Sequence, residues 1–169
     1  MENLECLRIL GDDNGDLLGI SPEVVPNLKW IEVELFNPNT IYTIKEFKGL
    51  EAVVLDEVGN VDIFEHLKHL KLKIVSAKSP KKGFDYTKIS YFKGLEIARL
   101  FSIKEEIDST MFLQFPHLKE LLLYNCKKLK NVETLLQMPT LKSLYIADAK
   151  GVEKKLKAFL KEHIPQCEV

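Results

Sequence analysis

The stretch from Leu118 to Val132, LKELLLYNCKKLKNV, constrains the fold of this chain more than any other. Its apolar residues fall at offsets 0, +3, +5, +8, +11 and +14 from Leu118. An amphipathic helix would repeat apolar residues at i, i+3, i+4 and i+7, and a strand would alternate with period two. Here a short alternating piece, Leu121 and Leu123, is followed by apolar residues at every third position. This spacing predicts one strand, then a turn, and then a return of the chain along the far side of a coil.

Segments of this kind recur along nearly the whole chain. They begin near seven leucines: Leu4, Leu28, Leu50, Leu70, Leu95, Leu118 and Leu141. The intervals between them are 24, 22, 20, 25, 23 and 23 residues. The pattern L-x-x-L-x-L-x-x-C/N-x-L at roughly this period is that of a leucine-rich repeat. The chain therefore resembles the leucine-rich-repeat superfamily, as a short intracellular member.

The resemblance implies a single α/β domain over residues 1–169, built as a right-handed solenoid. About seven repeats of 20–25 residues would place a parallel sheet of seven strands on the concave face. Such arrays need terminal caps over their open apolar ends. The helical spacing of Val152, Leu156, Phe159, Leu160 and Ile164 predicts an amphipathic capping helix over about 151–164, ended by Pro165. No cap is visible in the sequence before the first strand.

The fourth segment departs from the template. Counting from Leu70, the +3 position is Lys73, and burial of an unpaired ammonium group is costly. Strict alternation resolves the conflict if one residue has been lost before the strand, because Leu72 and Ile74 then take the core positions. The outward positions of this segment would be Lys71, Lys73 and Val75.

The resemblance also implies that binding takes place on the concave face, through side chains that point away from the core. The candidate partner-binding residues are Arg8, Leu10, Trp30, Glu32, Glu34, Val54, Asp56, Lys71, Lys73, Ile97, Arg99, Phe101, Glu120, Leu122, Tyr124 and Tyr145. Many of them are apolar or aromatic, and Trp, Tyr and Arg are enriched at interface hot spots. The charges are also segregated, with an acidic group (Glu32, Glu34, Asp56) beside a basic group (Lys71, Lys73, Arg99).

These residues predict a non-catalytic module that binds another protein, and three other interpretations stay open. Phe101 and Tyr124 could stack on one another and only stabilise the sheet. The acidic group could mimic phosphate in an inhibitor or immunity-type protein that blocks the active site of an enzyme. The chain could also be a structural scaffold whose uncapped first strand pairs with another chain.

Composition narrows the choice of partner and compartment. The formal net charge is −1, so neither nucleic acid nor a membrane surface is expected as a partner. The odd cysteine count of three and the absence of a signal-like N-terminus favour a cytoplasmic protein with reduced thiols. We expect a monomer, with a dimer through the edge strand as the alternative.

Three motifs suggest chemistry but fit it poorly, so no enzyme activity, metal or cofactor is expected. His66 and His69 read E-H-x-x-H, whereas a metalloprotease helix needs H-E-x-x-H. The acidic stretch 12–16 lacks the acids that an EF-hand loop requires at its first and last positions, and turn formation explains it. Cys126 occupies the Asn/Cys position of the repeat, where it would bond to the backbone of the turn.

Overall fold

A computed structural model describes residues 3–10, 20–33, 40–58, 62–79 and 82–169 of the chain. Eight strands form one sheet in the order β1-β2-β3-β4-β5-β7-β9-β10. Their bounds are β1 Cys6–Ile9, β2 Trp30–Val33, β3 Ala52–Leu55, β4 Ile74–Lys78, β5 Ile97–Phe101, β7 Glu120–Tyr124, β9 Ser143–Ala147 and β10 Gln166–Glu168. Each neighbouring pair in this order is parallel. The protein is therefore α/β with a parallel sheet, as the sequence predicts, although the sheet has one strand more than expected.

Short helical segments return the chain from the end of one strand to the start of the next. They are α1 Ile41–Ile44, α2 Ile63–Leu67, and three 3₁₀ helices at Tyr86–Tyr91, Ser109–Gln114 and Val132–Gln137. Two three-residue strands, β6 Glu106–Asp108 and β8 Lys128–Lys130, pair in parallel as a separate small sheet. Each return crosses back over the core, because a parallel connection must bring the chain to the same end of the sheet.

One continuous core lies between the sheet and these returns. Within β7, the side chains of Leu121 and Leu123 are fully buried, whereas Glu120 and Leu122 are partly exposed and Tyr124 is 39% exposed. The burial of β5 and β9 alternates in the same way, because successive side chains of a strand point to opposite faces. Burial of each large aliphatic side chain contributes roughly 1.5–3 kcal/mol, so the core-facing rows hold the strands in register. The opposite side of the sheet is called the exposed face below.

The turn after a strand contains the same backbone conformation in four places. Glu57, Ser102, Asn125 and Asp148 have φ of 59°, 58°, 52° and 52°. Each lies two residues after the last core-facing residue of its strand. Asn and Asp tolerate this left-handed region better than most residues, because their short side chains bond locally. The Asn125 side-chain nitrogen donates to the hydroxyl of Ser102 at 3.1 Å, which joins two neighbouring turns.

Acidic and amide side chains mark the start of the outer returns at a regular interval. Asp62, Asp85, Asp108 and Asn131 each directly precede a helical segment and are 23 residues apart. The carboxylates of Asp85 and Asp108 accept from the backbone N–H groups of Thr87 and Thr110 at 3.1 and 3.0 Å, as N-caps do. These hydrogen bonds stabilise the starts of the two 3₁₀ helices that follow Asp85 and Asp108.

The C-terminal helix is present, and it connects the last two strands of the sheet. Helix α3 spans Lys154–His163 and packs against the 3₁₀ helix Val132–Gln137 and against β10. Leu160 and Ile164 are buried as predicted. The core assignment of Phe159 is wrong: it is 48% exposed and stacks on His163, with the ring centroids 4.1 Å apart. After Pro165 the chain adds β10 beside β9, so the last edge of the sheet is a strand.

Candidate protein-binding face

Parallel register aligns the exposed-face side chains into rows that cross the sheet. The central row contains Arg8, Glu32, Val54, Ser76, Arg99, Leu122, Tyr145 and Glu168. The row before it contains Cys6, Trp30, Ala52, Ile74, Ile97, Glu120, Ser143 and Gln166. Lys78, Phe101, Tyr124 and Ala147 belong to the row after it. Residues far apart in the sequence thus form one surface.

Most of the predicted binding residues lie on this face. Those on strands are Arg8, Trp30, Glu32, Val54, Ile97, Arg99, Phe101, Glu120, Leu122, Tyr124 and Tyr145. Leu10 follows β1 and is 66% exposed, and Asp56 follows β3. Glu34 lies outside the described residues, as does the acidic stretch 12–16.

The assignment of the fourth strand is wrong. Ile74 pairs with Ala52 and Ile97, so Val75 and Ala77 face the core and are fully buried, while Ile74 points outward. Lys71 and Lys73 precede the strand and are exposed. No residue has been lost: the spacing Leu72, Val75, Ala77 keeps the template, and the small side chain of Ala77 hides the third core position in the sequence.

Lys73 belongs to a row of charged residues at the start of the strands, and their charges alternate in sign from Glu5 to Lys119. The residues directly before seven of the strands are Glu5, Lys29, Glu51, Lys73, Glu96, Lys119 and Lys142. Lys29 Nζ lies 2.7 Å from Glu5 Oε1, Lys73 Nζ 2.9 Å from Glu51 Oε2, and Lys119 Nζ 2.5 Å from Glu96 Oε2. The hydrogen bond to Glu5 raises the pKa of Lys29, and the one from Lys119 lowers that of Glu96. We call this row the charge ladder.

Sequence reasoning missed the residues that β4 contributes to the exposed face: Ile74, Ser76 and Lys78. Ser76 is 7% exposed and has large neighbours on most sides. With Glu32, Val54 and Arg99 of the same row it forms a trough of about 290 Å³, which Asp56, Lys78 and Phe101 extend. A large side chain of a partner could insert there, because the small residue at the centre leaves room between longer ones.

The charges of the exposed face are paired and not segregated. Arg8 Nε lies 3.3 Å from Glu32 Oε1, and Arg99 Nε lies 2.7 Å from Glu120 Oε1. Lys78 Nζ lies 3.1 Å from Asp56 Oδ1, and the hydrogen bond to this carboxylate raises the pKa of Lys78. The predicted division into an acidic and a basic side therefore fails, because Lys78, which sequence reasoning missed, pairs with Asp56.

Aromatic side chains flank the trough on the side of the later strands. The rings of Phe101 and Tyr124 are tilted by 59°, with their centroids 6.3 Å apart. The hydrogen bond to Asp148 raises the pKa of the Tyr124 hydroxyl. Both rings keep part of their surface exposed, so the contact between them leaves area for a partner.

The cysteine and histidine motifs have structural surroundings. Cys126 Sγ donates toward the carbonyl oxygens of Leu100 and Tyr124 at 3.7 and 3.6 Å, and burial raises its pKa to about 11. A thiol of this kind is a poor nucleophile at neutral pH. His66 packs edge-on against Tyr42, and His69 Nε2 lies 2.9 Å from the carbonyl oxygen of Lys45. Among the described residues no group of three or more His, Cys, Asp or Glu side chains could hold a metal ion.

Comparison with known proteins finds no protein family and no curated relative that match this chain. In the part of the chain that the structure describes, no helix has the length and apolar character needed to cross a membrane. A functional hypothesis for this protein therefore depends on the exposed face and its chemistry.

Proposed function

We propose that the chain is a cytoplasmic leucine-rich-repeat solenoid that serves as a non-catalytic protein-interaction module. Three regularities support the repeat interpretation: the in-register parallel strands, the left-handed residue after four of them, and the 23-residue spacing of Asp62, Asp85, Asp108 and Asn131. Repeats of this kind stack on their neighbours to form a continuous core. The sheet then offers a long surface to a partner.

The trough on the exposed face is the observation that carries the binding proposal. Its centre is the small Ser76, and Trp30 and Phe101 stand on strands to either side. Buried aromatic and arginine anchors dominate binding energy at protein interfaces. Eight strands at a spacing of about 4.8 Å make a face about 34 Å long, which suits a standard interface of about 800 Å² per partner.

The face is better suited to contact than to catalysis. Its described arginines, Arg8 and Arg99, are held in ion pairs with Glu32 and Glu120, and the best-buried thiol, Cys126, points into the core. The same pairing weakens the inhibitor hypothesis, because Glu32 and Asp56 already have cationic partners and would mimic phosphate poorly.

The test compares two aromatic variants in a pull-down with mass spectrometry. We expect Trp30→Ser combined with Phe101→Ser and Tyr145→Ser to lose a partner that the unaltered protein retains. The control combines Tyr42→Ser with Phe159→Ser, which removes rings that are 55% and 48% exposed but lie off the sheet. Both variants must show unaltered urea unfolding midpoints. Capture at full affinity by the first variant would disprove binding through the exposed face.

Edge pairing is a second candidate, favoured by the first strand. In β1, Cys6 and Arg8 are exposed and Leu7 and Ile9 are only partly buried. A strand edge of this kind can pair with another chain. Light scattering over a wide concentration range distinguishes the candidates, because a protein that stays monomeric at high concentration does not pair through its edge with a second copy.

A further inference from the structure

A second candidate surface lies at the end of the sheet where the strands begin. A groove of about 440 Å³ runs between the segment before β4 and the segment before β5. Four lysines line it, Lys68, Lys71, Lys73 and Lys93, and no carboxylate does. We call it the lysine groove. Three of these lysines and His69 come from the stretch EHLKHLKLK, whose histidines suggested a metal site in the sequence.

Among the residues that the structure describes, two of the four ammonium groups have no anionic partner. Lys68 pairs with Glu65, and Lys73 pairs with Glu51 in the charge ladder. Lys93 Nζ donates to the neutral amide oxygen of Gln114 at 2.8 Å. Lys71 is exposed and has no ion-pair partner within the described ranges. The groove therefore has an uncompensated positive charge at Lys71 and Lys93, close to a recessed apolar bottom.

Core residues form the bottom of the groove, and a hydrogen bond positions an aromatic ring in one wall. Leu72 and Phe92 close it from below and are 0% and 2% exposed, because they belong to the core. The hydroxyl of Tyr91 donates to Glu65 Oε2 at 2.8 Å, which holds the ring against the wall. Beyond Lys68 and His69 the surface has mixed charge, because Lys45 and Lys48 lie there beside Glu46 and Glu65.

We propose that the lysine groove binds an acidic segment of a protein, whose side-chain carboxylates pair with Lys71 and Lys93. An extended peptide fits a groove of this size and can place one carboxylate at each ammonium group while its carbon atoms lie on the bottom. The two contacts are charge-assisted hydrogen bonds, which are stronger than neutral ones. This site is separate from the exposed face and does not depend on binding there.

The surroundings of the groove favour a peptide over nucleic acid. Glu46, Glu51 and Glu65 lie at or near its borders, so the ligand's negative charges must end within the groove; a short acidic segment can do this, whereas a phosphate backbone continues past these carboxylates. Single-stranded nucleic acid also needs aromatic rings that are free to stack on bases. Of the two aromatic residues that line the groove, Phe92 is buried and only Tyr91 is exposed, so successive bases would find a single ring to stack on.

The test measures the anisotropy of fluorescein-labelled hexaglutamate at low ionic strength. We expect Lys71→Gln combined with Lys93→Gln to weaken binding about tenfold, as the loss of two exposed ion pairs implies. The control combines Lys127→Gln with Lys150→Gln, two exposed lysines that follow β7 and β9 at the opposite end of the strands. We expect this control to retain the affinity of the unaltered protein. Circular dichroism and urea unfolding establish that both variants are folded.

Three outcomes would overturn the proposal. The first is no binding of hexaglutamate by the folded protein. The second is an equal loss in both double variants, because the attraction would then be unspecific. The third is tighter binding of hexathymidylate, or complete competition by inorganic phosphate, with the same dependence on Lys71 and Lys93, since the groove would then recognise phosphate. The aromatic variant of the exposed face should bind hexaglutamate normally, so the two proposals fail independently.

Discussion

The two faces of the sheet hold the same strands with different chemistry. On the core side, Leu121 and Leu123 are fully buried among aliphatic and aromatic side chains. On the other side, Leu122 is only partly buried, beside the paired charges of Arg99 and Glu120. Tight packing makes the core face sensitive to any change of volume, whereas exposed ion pairs contribute little to stability. We infer that the core face specifies the fold and that the exposed face is free to vary with the partner.

The largest expected difference in stability between the two faces is that between two adjacent leucines of β7. We expect Leu123→Ala to lower the free energy of unfolding by about 3 kcal/mol, since it leaves a cavity in a close-packed core. Leu122→Ala is the matched control, because it changes the same residue type one position away on the exposed face, and we expect a loss below about 1 kcal/mol. Urea unfolding measures both. Equal losses would contradict the distinction between the faces.

Neighbouring small residues of β4 give a second, smaller test. Ala77 is fully buried, so Ala77→Leu overpacks the core and should cost about 1–3 kcal/mol. Ser76→Leu directs the same side chain into the trough of about 290 Å³, and we expect a change in unfolding free energy within about 1 kcal/mol. The latter variant should nevertheless lose the partner captured by the unaltered protein. A stable Ser76→Leu protein that still binds would show that the trough is not part of the contact.

We expect the smallest change in the free energy of unfolding from loss of the ion pair between Arg99 and Glu120. Their side chains are 34% and 30% exposed, so solvent screens much of the attraction. We expect Arg99→Gln to lower the free energy of unfolding by less than about 1 kcal/mol, and by less again at high salt. A double-mutant cycle with Glu120→Gln isolates the coupling. A coupling energy above about 2 kcal/mol would mean that the exposed face also stabilises the fold.

The sequence predicted a strand well where large aliphatic residues occupy the core positions. In β7, Leu121 and Leu123 stand at +3 and +5 from Leu118, and both are buried. In β4 the equivalent position holds Ala77, and an alanine carries almost no hydrophobic signal. The predicted register of β4 was wrong because Lys73 was counted within the strand, and nothing in the sequence shows that it lies just before it. No hydrophobic pattern in the sequence indicates the eighth strand, β10, since Gln166 and Glu168 are polar and follow a proline.

The same limits apply to the candidate site. The membership of Arg99, Leu122 and Tyr145 in one row follows from alternation and parallel pairing, so it could be predicted. The trough could not be predicted, because its small central residue is Ser76 and its position depends on the register of β4. Ion pairs such as Lys78 with Asp56 join residues 22 positions apart, and they depend on how long side chains extend between strands.

The alternation of the charge ladder restricts how the array can gain or lose units. Removal of the single strand-and-return unit that carries Lys73 would place Glu51 directly beside Glu96, so two carboxylates would meet at the junction. Removal of two successive units would instead place Glu51 beside Lys119 and preserve the order of charges. Like charges on adjacent strands are destabilising. From Glu5 to Lys119, changes in length by two strands are therefore less costly than changes by one, whereas Lys119 and Lys142 already place like charges on neighbouring strands.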